Sequence, residues 1–390
     1  MRIGFDAKRI VRNATGLGVY GRTLVADLHR RCARSGHSLW LYAPDSGRDS
    51  LRSQLTEDDT LRFCYAGQPS ALLIPHPLHK LYWRTRGIVS DLQRDGIGLF
   101  HGLTGELPLG LDKADIRSVV TIHDLIFMRH PEYYHALDAR IYTWKFRQAC
   151  RQADHIIAIS ERTRDDIVEL GQVDPSRISV VYQSCNPRFS TTLPPEQLAA
   201  VSSQLDLPRH FVLSVGTIEE RKNAMLIVKA LPRMPHDMGV VLVGRQTAYT
   251  AKVTAEARKL GVAHRLRVLS GIDDTRLHAL YQLAEVFAYP SRYEGFGIPI
   301  IEAIHSGLPV VAATGSCLEE AGGPDSIYVS PDDAEALAAA VTILRKEGPE
   351  RRQRIDASRQ YVRRFEGLDV AAQVEQIYQM AASGACKQRP

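Results

Sequence analysis

No run in this 390-residue chain approaches the roughly 18 uninterrupted apolar residues that a membrane span needs; its best runs break within about eight positions. The opening Met1-Arg2-Ile3-Gly4-Phe5-Asp6 has no apolar leader core and no small-residue cleavage site, and reads as a strand entering a glycine turn. The expectation is a cytoplasmic protein, soluble or peripheral at the inner face of a membrane. Cysteine is sparse: Cys32, Cys64, Cys150, Cys185, Cys317 and Cys386 lie far apart, with no Cys-x-x-Cys pair. That excludes a zinc ribbon or a disulfide framework and predicts reduced thiols. There is no Asp-x-Asp triplet and no His/Cys/Asp cluster at metal-ligand spacing, so neither a metal nor another cofactor is expected. Excess charge is small, +5, which suits attraction to phosphates or an anionic surface better than dedicated nucleic-acid binding.

What the chain does have is length enough for two cores, because single domains split beyond roughly 250 residues. Short β-rich apolar runs alternate with helical stretches, the pattern of parallel sheets with helical crossovers. The first half offers strands at Arg2-Phe5, Ser38-Tyr42, Leu99-Phe100, Ser118-Ile122, His155-Ile159 and Ile178-Val181. The second offers Phe211-Val215, Gly239-Val243, Leu266-Leu269, Val286-Tyr289, Pro309-Ala312 and Ser326-Val329. A Pro/Ser/Thr-rich stretch from Asn186 to Leu207, with one helix at Pro195-Gln204, reads as the connection. Ligands of such sheets sit beyond the carboxyl ends of the strands, so chemistry is expected in the loops there.

The most informative segment runs from Tyr289 to Ala303. After a strand comes a Gly-x-Gly turn, then a helix with Pro299 near its first position. Unpaired N–H groups and the helix dipole would favour an anion there, and a diphosphate fits. Glu294 on the loop and Glu302 about one turn into the helix suit hydrogen bonds to hydroxyls. The plain alternative is a glycine turn with an exposed helical Glu302; a two-carboxylate hydrolase is the competing chemistry. A second segment, Val215 to Asn223, sets Arg221 and Lys222 at a helix start, where unpaired cations oppose the macrodipole and a phosphate would relieve the conflict. The alternative is two solvated cations.

Gly-Thr-x-x-x-Arg-Lys-Asn followed by Glu-Gly-Phe-Gly-x-Pro-x-x-Glu resembles the retaining family-4 glycosyltransferases (glycosyl transferases group 1) of the GT-B fold. Ile178-x-Val180-Val181-Tyr182 and Gly307-x-Pro309-Val310-Val311 extend the resemblance over nearly the whole chain. It implies an α/β protein of two Rossmann-like β/α/β domains facing each other across a deep cleft. The expected division is an acceptor-binding domain at 1–190, a linker at 191–208, a nucleotide-sugar domain at 209–365, and a closing helix and tail at 366–390 that cross back to the first domain.

The resemblance also implies roles. Arg221 and Lys222 bind the donor diphosphate, Glu302 the ribose, and Glu294 with the backbone of Phe296 and Gly297 the sugar ring; Gly216 and Ile298 join this donor set. Thr15-Gly16-Leu17-Gly18 follows the first strand, so Gly16 and Gly18 could approach donor phosphates or acceptor, with a simple turn as the alternative. Base contacts are expected around Ser270-Ile272, which adds Ile272. His123, in Thr121-Ile122-His123-Asp124 at a strand end, is expected near the reacting carbon. His123, Glu294, Arg221 and Lys222 form the expected catalytic group.

His123-Asp124-Leu125 with Pro131-Glu132-Tyr133 resembles the mannosyl- and rhamnosyl-transferring members that build bacterial surface polysaccharides (O-antigen, lipopolysaccharide, capsule). The implied reaction is metal-independent, retaining transfer of a hexose from a nucleotide diphosphate sugar, GDP-mannose or GDP-rhamnose favoured, to a glycan or lipid-linked acceptor. A sugar-nucleotide epimerase and a non-catalytic sugar-nucleotide-binding protein are the alternatives. Gln183-Ser184-Cys185-Asn186 stands where many relatives carry Asn-Gly-Val-Asp, so no role is carried over there. The basic and aromatic stretch His76 to Arg94 reads either as an acceptor or lipid-headgroup surface or as a helix packing its aromatics inward.

Overall fold

The computed structural model describes residues 1–67 and 76–383, with only the backbone of His76 and Pro77. The chain divides into two compact units, Met1–Gln183 with the segment from Asp369 on, and Ser184–Leu368. The segment expected as a linker, 191–208, therefore lies within the second unit, where the helix Pro195–Gln204 packs on the helix Asp274–Leu283. The side chain of Gln282 holds this segment by two hydrogen bonds, accepting from Leu193 N–H at 3.0 Å and donating to the Thr191 carbonyl at 2.7 Å.

Among the described residues the first unit carries a seven-stranded sheet: β1 (Arg2–Asp6), β2 (Ser38–Ala43), β3 (Leu61–Tyr65), β4 (Leu99–Gly102), β5 (Arg117–Ile122), β6 (His155–Ala158) and β7 (Ile178–Val180). Their order is β3-β2-β1-β4-β5-β6-β7, all pairs parallel. The second unit has β8 (His210–Val215), β9 (Met238–Val243), β10 (Leu266–Leu269), β11 (Val286–Tyr289), β12 (Val310–Ala313) and β13 (Ile327–Val329) in the order β10-β9-β8-β11-β12-β13. Both orders are the doubly wound arrangement, which places a switch point beside the first strand of each unit. The central strands β4, β6, β9, β11 and β12 are buried at every position, because helices cover both sheet faces. Strand β3 was not expected from the sequence. It is an edge strand of mixed exposure whose Arg62 interrupts the apolar run that marks interior strands.

Helix starts follow local capping chemistry. Ser160, Asp273 and Asp333 each accept from the N–H three residues on, at 3.0, 2.8 and 2.8 Å. The last helix, Val370–Ser383, packs on the helix Gly16–Ser35 of the first unit. Arg31 bridges to Asp369 at 2.6 Å and to Glu375 at 2.7 Å, and the buried Tyr378 hydroxyl meets His101 Nδ1 at 2.7 Å. The five described cysteines are free thiols, and Cys386 lies outside the described residues.

Two buried histidines of the first sheet set an acid limit on stability. Burial pushes His101 down to about 3 and His155 down to about 4. In the unfolded chain each would titrate near 6.5, so unfolding takes up protons below that pH. Their contribution is complete above pH 6.5 and is lost as pH falls toward the folded values. Between pH 6 and 5 these two rings are expected to lower the unfolding free energy by roughly 2 kcal/mol, while His123, also held low, and Glu302, held high, act in opposite directions and nearly offset each other. Urea titrations across that range check this; a flat profile would contradict it.

Candidate active site

In the second unit the two motifs read from the sequence meet. Arg221 and Lys222 belong to a 3₁₀ turn, Glu220–Lys222, after β8, not to the following helix Ala224–Ala230. Asn223 separates the two with φ of 58°, a left-handed conformation that Asn tolerates better than most residues. Its buried amide donates to the carbonyls of Pro290 at 3.2 Å and Pro331 at 2.7 Å, locking this loop to those after β11 and β13. Arg292 N–H donates to the Arg221 carbonyl at 2.9 Å and completes the lock.

Both cations point at one carboxylate oxygen. Arg221 Nη1 lies 2.9 Å and Lys222 Nζ 2.5 Å from Glu294 Oε1. The Ser291 hydroxyl donates to the same oxygen at 2.5 Å, and the Tyr289 hydroxyl accepts from Lys222 at 2.6 Å. Burial alone would raise the Glu294 carboxyl, but the charges of Lys222 and Arg221 overcome it and hold the group down to about 2. This corrects one expectation. The cations are not left unpaired awaiting a phosphate, because both already pair with Glu294, whose single negative charge offsets only one of the two positive ones. Arg221 also reaches Glu219 at 2.8 Å and the Tyr293 carbonyl at 2.6 Å.

The loop then turns through Gly297, whose φ of 123° is a region side chains avoid, into the helix Ile298–His305 with Pro299 in its first turn. The thiol of Cys317 donates to the carbonyls of Glu294 at 3.1 Å and Phe296 at 2.8 Å, fixing the loop from beneath. Phe296 is buried against Phe365 at 5.2 Å, so its side chain is structural. Among the described residues no hydrogen bond uses the N–H of Gly297 or Ile298, and both remain available to an anion.

The two carboxylates have different surroundings. Glu302 touches neither cation; it accepts from the Tyr281 hydroxyl at 2.7 Å, and burial pushes it up to about 7. Gly216, at φ of 146°, packs against the Lys222 stem. Ile272 is half-buried on the loop after β10, at the far edge of the same sheet.

The first unit carries the other expected residues. His123 follows β5; its Nε2 lies 2.9 Å from the Leu103 carbonyl, which can only accept, so Nε2 holds the proton. Nδ1 then accepts from Gln183 Nε2 at 3.3 Å. Burial lowers the ring to about 4, so it is neutral at pH 7. Tyr20 packs edge-on against it at 4.7 Å, and the Tyr20 hydroxyl sits 3.2 Å from Thr121 Oγ1, which is 2.8 Å from His101 Nε2. Gly18 lies in the first turn of the helix Gly16–Ser35, where a Cβ would come within 1.8 Å of the Asn13 carbonyl oxygen; only glycine fits. Gly16 faces open space.

The stretch from His76 splits in two. Trp83 is buried, donating to Asp91 at 2.6 Å, and Arg84 pairs with Asp6 at 2.6 Å and Glu106 at 2.8 Å. Leu78, Leu81 and Tyr82 are exposed. Residues missed at the site, Ser291, Tyr289, Tyr281, Gln183 and Cys317, act as hydrogen-bond partners, and nothing in their local sequence marks which group they will face.

Comparison with known proteins finds relatives that span the length of the chain. Residues 198–361 match the family profile described as Glycosyl transferases group 1, and residues 21–188 match Glycosyltransferase Family 4. The O-antigen chain mannosyltransferase B of Escherichia coli is 27% identical over 350 residues, 87% of this chain and 90% of that protein. The Escherichia coli serotype-specific mannosyltransferase WbdA is 24% identical over 62% of this chain, but this covers only 31% of WbdA. Among solved structures, Anabaena HepE in complex with UDP and glucose gives a TM-score of 0.74 at 18% identity, covering 97% of this chain and 99% of HepE. Sucrose-phosphate synthase from Thermosynechococcus elongatus gives 0.78 at 20%, covering 98% and 99%. With its two doubly wound units and both sequence motifs in one loop cluster, the chain belongs to the family-4 glycosyltransferases of the GT-B fold.

Proposed function

We propose that this enzyme transfers a hexose from a nucleotide diphosphate sugar to a glycan or lipid-linked saccharide in the assembly of a bacterial surface polysaccharide. One observation carries the reading: Arg221 and Lys222 converge on Glu294, in the loop that leads straight to the unused N–H groups of Gly297 and Ile298. A diphosphate would meet two cations and a helix start there, which stabilises the charge that grows on the leaving group as the glycosidic bond breaks. Glu294 holds the cations in place and presents its second oxygen to a sugar hydroxyl. Glu302 is assigned to the ribose, the backbone of Phe296 to the sugar, and the loop at Ile272 to the base.

Mannose from GDP-mannose is the favoured donor sugar, since O-antigen chain mannosyltransferase B and the serotype-specific mannosyltransferase WbdA of Escherichia coli and O-antigen chain mannosyltransferase RfbU of Salmonella typhimurium are named mannosyltransferases. The proposed transfer retains anomeric configuration, with the departing phosphate oxygen taking the acceptor proton, and uses no metal. His123, neutral and fixed in one tautomer, is assigned a contact with the donor sugar; Gly16 and Gly18 are assigned to the approach of donor or acceptor. The enzyme works in the cytoplasm.

Thermal unfolding with GDP-mannose, UDP-glucose and ADP-glucose tests the donor. A ligand at about 100 times its dissociation constant stabilises by roughly 2.7 kcal/mol. GDP-mannose is expected to do so, undiminished by EDTA, and to be consumed only with acceptor present. Stabilisation by UDP-glucose alone would replace the donor; no response to any nucleotide sugar would remove the site.

A further inference from the structure

We infer that the outer face of the helix Ala136–Gln152 is a docking surface for an anionic lipid bilayer. This inference stands apart from the transfer reaction. The helix has 17 residues, about 25 Å of length at 1.5 Å per residue. Leu137, Ile141 and Trp144 fall at i, i+4 and i+7, so they share one stripe, and all three are exposed, at 68%, 40% and 46%. Large apolar side chains are seldom left together on a helix that already buries its other face, and this one buries Ala139, Phe146, Ala149 and Cys150.

Charge decides the occupant. Arg140, Arg147 and Arg151 lie along one flank of the stripe and are exposed, and among the described residues none of them enters an ion pair. Asp138 is the one acid on the helix. Arg147 and Arg151 also line, with Arg177, a surface cavity of about 480 Å³ at the helix end, room for phosphate headgroups. Nearby, Leu81 at 57% exposure shares a second cavity with Trp144, so the helix His76–Tyr82 adds apolar surface to the same face. An apolar stripe flanked by unpaired arginines is the composition of an interfacial helix, its side chains reaching the acyl boundary while the guanidinium groups meet lipid phosphates. A protein partner would need acidic groups aligned with all three arginines; an anionic leaflet supplies them anywhere.

Vesicle co-sedimentation of the full chain tests this, using phosphatidylcholine alone and mixed with phosphatidylglycerol in about 0.1 M salt. Binding is expected only with the anionic lipid, with tryptophan emission moving to shorter wavelength. Trp144→Phe should abolish the emission shift, because Trp83 is buried and Trp40 sits within the first sheet. Arg140→Glu/Arg147→Glu/Arg151→Glu should weaken binding about 100-fold or more. Leu137→Ser/Ile141→Ser/Trp144→Ser should weaken it comparably, with unchanged circular dichroism in both variants. Absence of binding to anionic vesicles, equal binding to zwitterionic ones, or unchanged binding by both triple variants would overturn the inference. So would a concentration-dependent dimer that the serine variant abolishes, since it would give the stripe to a second copy of this chain.

Discussion

Lys222→Ala is expected to lower the transfer rate by about 10²–10³-fold while the protein still folds. The ammonium supplies one of two positive charges proposed to meet the leaving diphosphate, and no neighbour replaces it. Folding tolerates the loss because Arg221 still pairs with Glu294 at 2.9 Å and the Ser291 hydroxyl still donates to it at 2.5 Å, so the carboxylate keeps two partners. The check is a steady-state rate with donor saturating, beside a urea midpoint close to wild type. Near-normal transfer by this variant would withdraw the phosphate role from the motif.

Glu294→Ala acts through the opposite imbalance. Removing the carboxylate leaves Arg221 and Lys222 with 16% and 18% of their side-chain surface exposed and their shared counter-charge gone. Breaking such a pair costs roughly 3–5 kcal/mol, so this variant loses stability as well as transfer. The motif read from the sequence alone predicts loss of transfer with the fold intact; the ion triad changes that expectation. A sharper consequence concerns rescue. If a diphosphate binds where the cations point, inorganic pyrophosphate should raise the melting temperature of Glu294→Ala by more than it raises that of wild type, since the anion restores the missing charge. Equal shifts in both proteins would place the anion elsewhere. The wild-type triad is itself insensitive to mild acid: Glu294 is held down to about 2, so its contribution is complete above the ordinary Glu range and is lost only as pH falls toward 2.

The strand-helix alternation, both strand-end motifs and the two-unit organisation were legible in the order of residues, because buried parallel strands demand continuous apolar runs and close backbone turns demand glycine at particular steps. Gly18 and Gly297 illustrate the second reason: one has no room for a Cβ, the other a dihedral that side chains avoid. Strand β3 leaves little trace in the sequence because an edge strand needs only half an apolar pattern. The boundary between units fell near Gln183 instead of after 190, since a Pro-rich composition does not reveal that Gln282 will tie the segment down.

Sequence by itself determined which chemically active groups the chain carries and where they fall relative to the strands: adjacent cations after one strand, and a glycine turn with flanking carboxylates after another. Tertiary structure alone decided how those charges are spent. The pairing of Glu294 with Arg221 and Lys222, the separate hydrogen bond of Glu302 to Tyr281, and the tautomer of His123 set by Leu103 and Gln183 all join residues distant along the chain. Ion pairs and hydrogen bonds depend on separations of about 3 Å in space, and a linear order of residues does not encode those separations until the two sheets have formed.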